Sequence, residues 1–279
     1  MTARIWECDN KTYHADNTKV GSSMLKVAIR SPAEYRRRYI DVPPLPAETT
    51  PAMTLGSALH CLVLEPENFD SLFCCRPAGI DGRTKEGKEA LAKFRLSAIG
   101  KEELTIEQHE QAKAMANAVL AESQVADMLA EAVFERAILW EDGEMICKCK
   151  TDIFIPRPEL DSDLILDLKT SDDPTPETWS RGGSFAPIPK YRYDLQGAHY
   201  RAGVSALTGR PASFGLVVIG KDEPHDVYLY DLAEWMEIGD HYRAIAMRAI
   251  ATGAITGWRR PEQGTVIKLF PSAWDLSKE

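Results

Sequence analysis

The sequence is informative first through what it lacks. No stretch approaches the roughly 18 apolar residues that a membrane-spanning helix needs. The N-terminal stretch MTARIWECDNKTYHADN is polar and has no apolar segment of the kind found in signal peptides. Internal repeats and long low-complexity segments are also missing. We therefore expect a cytoplasmic protein with no membrane partner.

Cysteine is scarce and does not follow a metal-binding or disulfide pattern. Of six cysteines, Cys147 and Cys149 form a C-x-C rather than a zinc-type C-x-x-C, and none follows residue 149. Cys74 and Cys75 are adjacent, which is a poor arrangement for binding one metal ion together. We expect reduced thiols and neither a structural zinc ion nor an iron–sulfur cluster.

A strongly basic balance is missing as well. The net charge of −9 argues against a protein that coats nucleic acid without selectivity. The charge is uneven, however: residues 101–145 contain 3 basic and 11 acidic residues, whereas residues 181–210 contain 5 basic residues and 1 acidic residue. A local basic site on an acidic protein is therefore compatible with the composition.

The patterns that are present predict helices first and a sheet afterwards. Ser31 as a helix cap and Pro32 as a first helical residue divide residues 22–40 into two short helices. Apolar spacing predicts further helices at 52–66 and 86–97, and one or two helices, opened by Thr105, at 105–132. The N-terminal portion, about residues 20–132, is thus predicted to be helical.

The following portion, about residues 133–252, is predicted to hold the sheet. The predicted elements are strands at 133–142, 143–156 and 160–171, a helix at 187–209 closed by Gly209, strands at 211–222 and 225–232, and a helix at 231–252. An irregular tail, 253–279, follows. This order predicts one α/β domain over residues 1–279, with a mixed central sheet flanked by helices.

The segment LILDLKTSDD, residues 164–173, contains two charges that a buried strand rarely carries. Asp167 and Lys169 lie among leucine and isoleucine and point to the same side of the strand. Buried charges are tolerated when they are paired, bound to a metal or functional. By itself this D-x-K pattern is typical of an ordinary ion pair.

Strand alternation brings a second acid to the same place. It puts Lys148, Lys150, Asp152 and Phe154 on one face, so that Asp152 and Asp167 converge if their strands pair. Two carboxylates in a partly dry site repel each other, and a hard divalent cation such as Mg²⁺ relieves that repulsion. Asp152 taken alone would equally fit a turn cap.

Two predicted helices add polar residues at helical spacing. Gly56 and His60 lie at i and i+4 of one helix, and Gln196 and Tyr200 lie at i and i+4 of another. Taken singly, His60 is typical of a core or boundary histidine. The Gln196 and Tyr200 pair is typical of an ordinary helix surface.

Together these patterns resemble the PD-(D/E)XK nuclease superfamily. The matching segments are GSALH (56–60), KTDIF (150–154), LDLKTS (166–171) and YDLQGAHY (193–200). More narrowly, they are similar to the RecB-like branch and to RecE-type exonucleases (exonuclease VIII-like), as are SSMLKVAIRSPAEYRRRY, HCLVLEP and KYRYD. The resemblance covers about residues 20–250, and it departs from the superfamily pattern at Thr151, which precedes Asp152 in place of proline. It implies a restriction-endonuclease-like core.

The resemblance implies a role for each matching residue. Asp152 and Asp167 would bind catalytic Mg²⁺, with Mn²⁺ as a substitute and the backbone carbonyl of Leu168 as a further ligand. His60 would be an additional ligand or an orienting group at the metal site. Lys169 would activate the attacking water or stabilise charge on the phosphate. Gln196 and Tyr200 would position the scissile phosphate or the DNA strand.

Further residues around these motifs have less specific predictions. Glu135, on the strand at 133–142, is either an additional metal-site acid or a solvated strand residue. The basic residues around the Q-x-x-x-Y helix that would hold DNA phosphates are Arg181, Lys190, Arg192 and Arg201.

The function implied by the resemblance is Mg²⁺-dependent 5′-to-3′ digestion of linear double-stranded DNA, which leaves 3′ single-stranded tails for phage-type recombination. The implied partners are double-stranded DNA ends, a single-strand annealing protein, and further copies of the chain in a homo-oligomer, ring-shaped as in exonucleases that enclose DNA. Two alternatives stay open: a RecB-like, CRISPR-associated or structure-specific nuclease, and a catalytically silent DNA-binding protein of the same fold. The lack of cysteine beyond residue 149 counts against the CRISPR-associated type, and the retained buried charges count against a silent site.

Overall fold

The computed structural model describes residues 3–43, 50–77, 79, 83–180, 186–260, 262–264 and 266. Its strands are β1 (Arg4–Ile5), β2 (Phe73–Cys75), β3 (Glu102–Leu104), β4 (Val133–Asp142), β5 (Met145–Ile155), β6 (Asp163–Ser171), β7 (Ala212–Gly220) and β8 (Val227–Asp231). Its helices are α1 (Asn10–Ala15), α2 (Ser22–Arg30), α3 (Pro32–Tyr35), α4 (Pro51–Leu64), α5 (Phe69–Leu72), α6 (Lys85–Ser97), α7 (Ile106–Ala121), α8 (Ser123–Ala130), α9 (Pro176–Trp179), α10 (Pro187–Tyr191), α11 (Tyr193–Thr208) and α12 (Met236–Thr256).

The main sheet has the strand order β1-β4-β5-β6-β7-β8. Neighbouring strands are antiparallel except β6 and β7, which are parallel. The three strands predicted between residues 133 and 171 are β4, β5 and β6, and they pair in the expected meander. β2 and β3 form a separate parallel pair. The predicted fold class, a mixed central sheet flanked by helices, is confirmed.

Helices cover both faces of the main sheet and bury an apolar core on each. On one face, α2, α11 and α12 bury Leu25, Leu195 and Ala246 in one cluster with the sheet. On the other face, α4 and α7 bury Leu59 and Met115 in a second cluster. α4 and α11 therefore approach the sheet from opposite faces, which is what allows their polar residues to meet at one strand.

The helix ends follow the sequence signals. The Ser31 side chain accepts a backbone N–H at the start of α3, and Thr105 and Gln108 form a capping box at the start of α7. Gly209 closes α11 with a φ of 73°. The single helix predicted at 187–209 is divided into α10 and α11, because Arg192 has a left-handed φ of 55°.

The C-terminal helix is longer than predicted. α12 continues to Thr256, past the expected end at residue 252. Trp258 then stacks on Tyr35, with ring centroids 5.3 Å apart. Trp274, in the predicted irregular tail, lies outside the described residues. Among the helices that the structure describes, none is both long enough and apolar enough to cross a membrane.

An N-terminal segment that the sequence did not reveal packs on the sheet. β1 pairs with β4 at its edge, and α1 follows directly. The buried ammonium group of Lys148 on β5 holds this segment by donating to the carbonyl oxygens of Tyr13 and Asp16. Residues 4–16 are therefore part of the folded structure.

Candidate active site

Regular strand pairing is interrupted at one level of the sheet. The ladder between β4 and β5 pairs the residues on both sides of Glu135 and Asp152 but leaves these two unpaired. The ladder between β5 and β6 ends at Ile153 and Leu166, one residue short of Asp152 and Asp167. The shared register therefore sets Glu135, Asp152 and Asp167 in one row across three strands. Glu135 has a φ of 50°, a value that is uncommon for a non-glycine residue and recurs at functional sites.

The interruption also changes the direction of the side chains on β5. Cys147, Cys149 and Phe154 all pack in the core beneath α11 and α12, although strict alternation places Phe154 opposite the two cysteines. The prediction that Phe154 shares a face with Lys148 is therefore wrong. The alternation of side chains between the two faces of β5 is therefore interrupted near Asp152, where the strand pairing is also interrupted.

His60 on α4 faces the row of acids. Its Nε2 lies 2.8 Å from the carbonyl oxygen of Leu168, and its Nδ1 lies 3.4 Å from Oδ2 of Asp152. Burial, and then the charge of Lys169, lower the pKa of His60, which favours the neutral ring. A carbonyl oxygen only accepts, so Nε2 carries the proton and Nδ1 presents a lone pair to the carboxylate. Two acceptors thus face each other, and a proton or a cation between them would relieve their repulsion.

The two acids nearest to His60 are short of positive charge. Asp152 Oδ2 accepts the backbone N–H of Leu168 at 2.9 Å, in place of a strand-to-strand hydrogen bond. Burial, and then the charge of Asp167, raise the pKa of Asp152 to about 7. Burial, and then Asp152, also raise the pKa of Glu135, although the Lys150 ammonium group contacts the Glu135 carboxylate. Additional positive charge at this point would stabilise both carboxylates.

These residues fit a divalent cation. One ligand atom from each of His60, Glu135 and Asp152 lies within 4.8 Å of the others. The two carboxylate oxygens are donors that Mg²⁺ and Mn²⁺ prefer, and the imidazole nitrogen adds one softer donor beside them. Within the described part of the chain, the acid grouped with Asp152 and His60 is Glu135, and Asp167 lies beside this group rather than in it.

Asp167 is engaged by partners from another direction. The amide of Gln196 donates to its Oδ1 at 2.7 Å, and the ammonium group of Lys169 contacts its Oδ2. Its side chain is only 1% exposed. Burial alone would lower the pKa of Lys169, but the charges of Asp167 and Asp152 outweigh it and raise that pKa. Lys169 is therefore a cation at neutral pH.

A close approach of α11 to the sheet brings Gln196 to Asp167. A Cβ on the neighbouring Gly197 would lie only 2.5 Å from the ring of Phe214 on β7, so a larger residue would push the helix away. On its other side Gln196 accepts a hydrogen bond from Lys26 on α2 at 3.0 Å. No sequence motif marks Lys26, because no local pattern connects α2 with α11.

A cavity of about 870 Å³ opens onto the site. The residues that line it include His60 and Asp152 from the candidate metal site, Lys169 beside Asp167, and Tyr200 on α11. Tyr200 is 8% exposed, and its ring meets Phe214 edge to face with centroids 6.2 Å apart. Burial raises the pKa of Tyr200, so its phenol stays protonated and is able to donate a hydrogen bond into the cavity.

The N-terminal segment forms part of the cavity wall. Its lining residues are Asn10, Lys11, Tyr13 and His14. Asn10 Oδ1 also accepts a hydrogen bond from Lys150 at 2.5 Å. The sequence carries one signal for this helix, since Asp9 caps it by accepting the Thr12 N–H at 2.6 Å, but nothing local shows that it lies against β5.

The basic residues predicted to hold DNA phosphates are Arg181, Lys190, Arg192 and Arg201. Arg181 lies outside the described residues, and the other three are not among the residues that line the cavity. Lys190 is exposed. The Arg192 guanidinium packs 3.5 Å from the Tyr242 ring centre and pairs with Asp194 at 2.8 Å, and Arg201 donates to the Ala212 carbonyl at 2.7 Å. Their DNA-binding role stays a prediction.

The fold has a counterpart among solved structures. A crystal structure from Eubacterium rectale titled "Putative exonuclease" is similar to this chain, with a TM-score of 0.64 over 98% of this chain and 99% of that one. The identity is 17%, so the likeness shows the fold. No curated protein sequence matches the chain.

The central strands of the mixed sheet carry acidic residues, and Lys169 follows the last of them, Asp167, by two positions. This arrangement defines a PD-(D/E)XK-type protein. The sequence profile described as "PDDEXK-like domain of unknown function (DUF3799)" matches residues 21–249. The chain belongs to this family. The superfamily predicted from the sequence is thereby confirmed, and the family and fold together support a nuclease.

Proposed function

We propose that the chain is a metal-dependent exonuclease that hydrolyses phosphodiester bonds of linear double-stranded DNA. The observation that carries this proposal is the grouping of His60, Glu135 and Asp152 within 4.8 Å, beside Lys169 on one cavity. Phosphodiester hydrolysis needs a nucleophilic water, a neutralised phosphate and a stabilised leaving oxygen. Acidic metal ligands next to a lysine suit all three needs.

Mg²⁺ is the cation of this proposal, with Mn²⁺ as a substitute. Glu135 and Asp152 would hold it through oxygen and His60 through nitrogen, with Asp167 and the Leu168 carbonyl as further ligands. When bound, such a cation would supply Lewis acidity toward the phosphate and lower the pKa of a water molecule. The Leu168 carbonyl already accepts from His60 at 2.8 Å and from the Lys169 ammonium group at 3.4 Å, so a cation would compete with Lys169 for its second lone pair.

The side chains around the cation have separate tasks in this proposal. Lys169, as a cation, stabilises negative charge on the phosphate in the transition state rather than removing a proton from water. Asp167 holds the Lys169 ammonium group through their contact. Tyr200, which lines the cavity, positions the scissile phosphate, and Gln196 orients Asp167 through its 2.7 Å hydrogen bond.

The finer parts of the proposal come from the resemblance of the motifs to RecE-type exonucleases. They are 5′-to-3′ polarity, production of 3′ single-stranded tails, and transfer of these tails to a single-strand annealing protein. A ring-shaped homo-oligomer that encloses DNA belongs to the same proposal. It would explain how a chain with a net charge of −9 retains DNA, because enclosure does not depend on a basic exterior.

The test is digestion of linear duplex DNA labelled at the 5′ or the 3′ end, with and without Mg²⁺. We expect early release of the 5′ label, survival of the labelled 3′ strand, and no product without a divalent cation. Asp167→Ala and Lys169→Ala should lose at least about 100-fold in rate. Lys221→Met, at a lysine that pairs with Asp172 and does not line the cavity, should not.

Each other outcome removes one part of the proposal. No cleavage of any DNA by the wild type with Mg²⁺ or Mn²⁺ would reject the nuclease. Early release of the 3′ label would reverse the polarity, and cutting of closed circular DNA would indicate an endonuclease. Wild-type rates in both site variants would reject the assignment of Asp167 and Lys169.

A further inference from the structure

The hydrogen bonds around Asp167 continue to a lysine outside the cavity. Lys26 on α2 donates to Oε1 of Gln196 at 3.0 Å, and Nε2 of Gln196 donates to Oδ1 of Asp167 at 2.7 Å. Asp167 in turn contacts the Lys169 ammonium group. One amide and one carboxylate thus connect α2 to the lysine proposed to act on the phosphate.

We infer that Lys26 is a positioning residue that fixes the Gln196 amide and thereby holds Asp167 and Lys169 in their working arrangement. The inference rests on the proposed function and adds a residue from outside the D-x-K and Q-x-x-x-Y motifs. Lys26 is not among the residues that line the cavity, so it acts through Gln196 and not on the substrate.

The physical reason is the near symmetry of a glutamine amide. Its oxygen accepts, its NH₂ group donates, and the two ends have almost the same shape. A flipped Gln196 would set its oxygen against the Asp167 carboxylate and its NH₂ group against the Lys26 ammonium group, and both contacts repel. Gln196 is 7% exposed, so water does not readily replace a missing partner. Lys26 therefore selects the orientation in which the amide donates to Asp167.

The surroundings keep the ammonium group of Lys26 in place. It lies 5.4 Å from the centre of the Tyr193 ring, and the Lys169 ammonium group lies 5.6 Å from the same ring. The aromatic ring attracts both cations, and this attraction partly offsets the repulsion between them. Burial, and then the charge of Lys169, lower the pKa of Lys26 to about 8, so the group is still mainly protonated at neutral pH.

The test combines four variants with two measurements. The variants are Lys26→Met, Lys26→Arg, Gln196→Leu and the double variant Lys26→Met/Gln196→Leu, with Lys221→Met as the matched control. The first measurement is the single-turnover cleavage rate at saturating linear duplex, together with duplex affinity. The second is hydrogen exchange of the Gln196 side-chain amide by NMR, identified as the signal that Gln196→Leu removes.

We expect Lys26→Met to lower the rate about 10- to 100-fold, the range for residues that orient an inner ligand, without weakening duplex affinity. Lys26→Arg, which keeps a charged donor, should stay within about fivefold of wild type. The double variant should be no slower than Gln196→Leu, because both changes act through one amide. A wild-type rate in Lys26→Met, or losses that multiply in the double variant, would overturn the inference.

The exchange measurement separates this inference from the proposed function. If the wild type and Lys221→Met cleave no DNA, the proposed function fails, and the amide signal alone decides on Lys26. Exchange at least about tenfold faster in Lys26→Met than in the wild type and in Lys26→Arg supports the positioning role. Unchanged exchange in Lys26→Met rejects it.

Discussion

The two sides of the candidate active site balance their charges in different ways. We call His60, Glu135 and Asp152 the His60 side, and Asp167, Lys169 and Gln196 the Lys169 side. On the Lys169 side, one oxygen of Asp167 meets an amide N–H at 2.7 Å and the other meets an ammonium group. On the His60 side, Asp152 meets one backbone N–H at 2.9 Å and faces the lone pair of His60 at 3.4 Å.

The two charge balances indicate where a bound cation would be stabilised most. The Lys169 side is close to neutral without any addition, because Asp167 and Lys169 compensate each other. The raised pKa values of Asp152 and Glu135 show that the His60 side gains from added positive charge. We therefore expect the His60 side to dominate cation binding and the Lys169 side to act on the substrate.

The largest effect is expected from Asp152→Asn, which removes one of the two carboxylates of the His60 side and keeps the side-chain shape. The amide oxygen still accepts the Leu168 N–H, so the fold should be retained, as thermal unfolding would verify. We expect Mn²⁺ binding by calorimetry to disappear and cleavage to fall by at least about 10³-fold, beyond the 10- to 100-fold typical of a supporting residue. Wild-type Mn²⁺ affinity in this variant would refute the expectation that the His60 side dominates cation binding.

A smaller effect is expected from Lys169→Met, which removes the cation of the Lys169 side. Loss of a cation that stabilises transition-state charge should lower the single-turnover rate about 10²- to 10³-fold. Mn²⁺ affinity should not fall by more than about threefold, because the ligands of the His60 side are untouched and Asp167, the proposed further ligand, loses only a competing cation. The measurement is calorimetry beside single-turnover cleavage, with Lys221→Met as control. Joint loss of binding and cleavage would mean that the two sides cannot be separated.

The pH dependence of the stability of the metal-free protein should report the ionisation of Asp152. Burial and Asp167 raise the pKa of Asp152 from 3.8 to about 7 in the folded state. Ionisation of Asp152 therefore disfavours folding, and stability falls as pH rises from about 4 to about 7. We expect the melting temperature of the wild type to fall between about pH 4 and about pH 7 relative to Asp152→Asn, and saturating Mg²⁺ to restore it. Parallel pH curves for the two proteins would contradict the assignment.

The Lys169 side was easier to predict from sequence than the His60 side. Asp167 and Lys169 lie two residues apart on one strand, and their burial among leucines is a local signal. The position of Asp152 followed from the meander of β5 and β6, although its exact surroundings depend on where the ladder ends. The place of Glu135 beside Asp152 needs the register of β4 and β5 and a left-handed φ of 50°, and no local pattern encodes either.

Contacts between distant parts of the chain were beyond sequence reasoning. Lys26 meets Gln196 across 170 positions, and Asn10 meets Lys150 across 140. Such contacts depend on how α1, α2 and α11 pack, and packing is fixed by the whole core rather than by a motif. The contacts of Arg192 were also not predictable from its place beside a motif, because its guanidinium packs on Tyr242 and pairs with Asp194; its DNA-binding role stays a prediction.

The smallest effect tests whether α1 supports the His60 side through Lys150. The Lys150 ammonium group contacts the Glu135 carboxylate and donates to Asn10 Oδ1 at 2.5 Å, so Asn10 restrains the partner of a proposed metal ligand. Asn10→Ala removes one hydrogen bond of ~1 kcal/mol, which corresponds to a rate loss of about fivefold. Single-turnover cleavage at limiting Mg²⁺ should show the loss most clearly, since a less restrained Glu135 binds the cation more weakly.

Asn117→Ala, an exposed change on α7, is the matched control and should leave the rate unchanged. Asn10→Asp sharpens the test, because a second carboxylate would compete with Glu135 for Lys150 and leave Glu135 with less compensation. That variant should therefore need less Mg²⁺ than Asn10→Ala for half its maximal rate. If Asn10→Ala, Asn10→Asp and the wild type need equal Mg²⁺, Lys150 holds Glu135 without help from α1. The His60 side would then be restricted to residues of the sheet and α4.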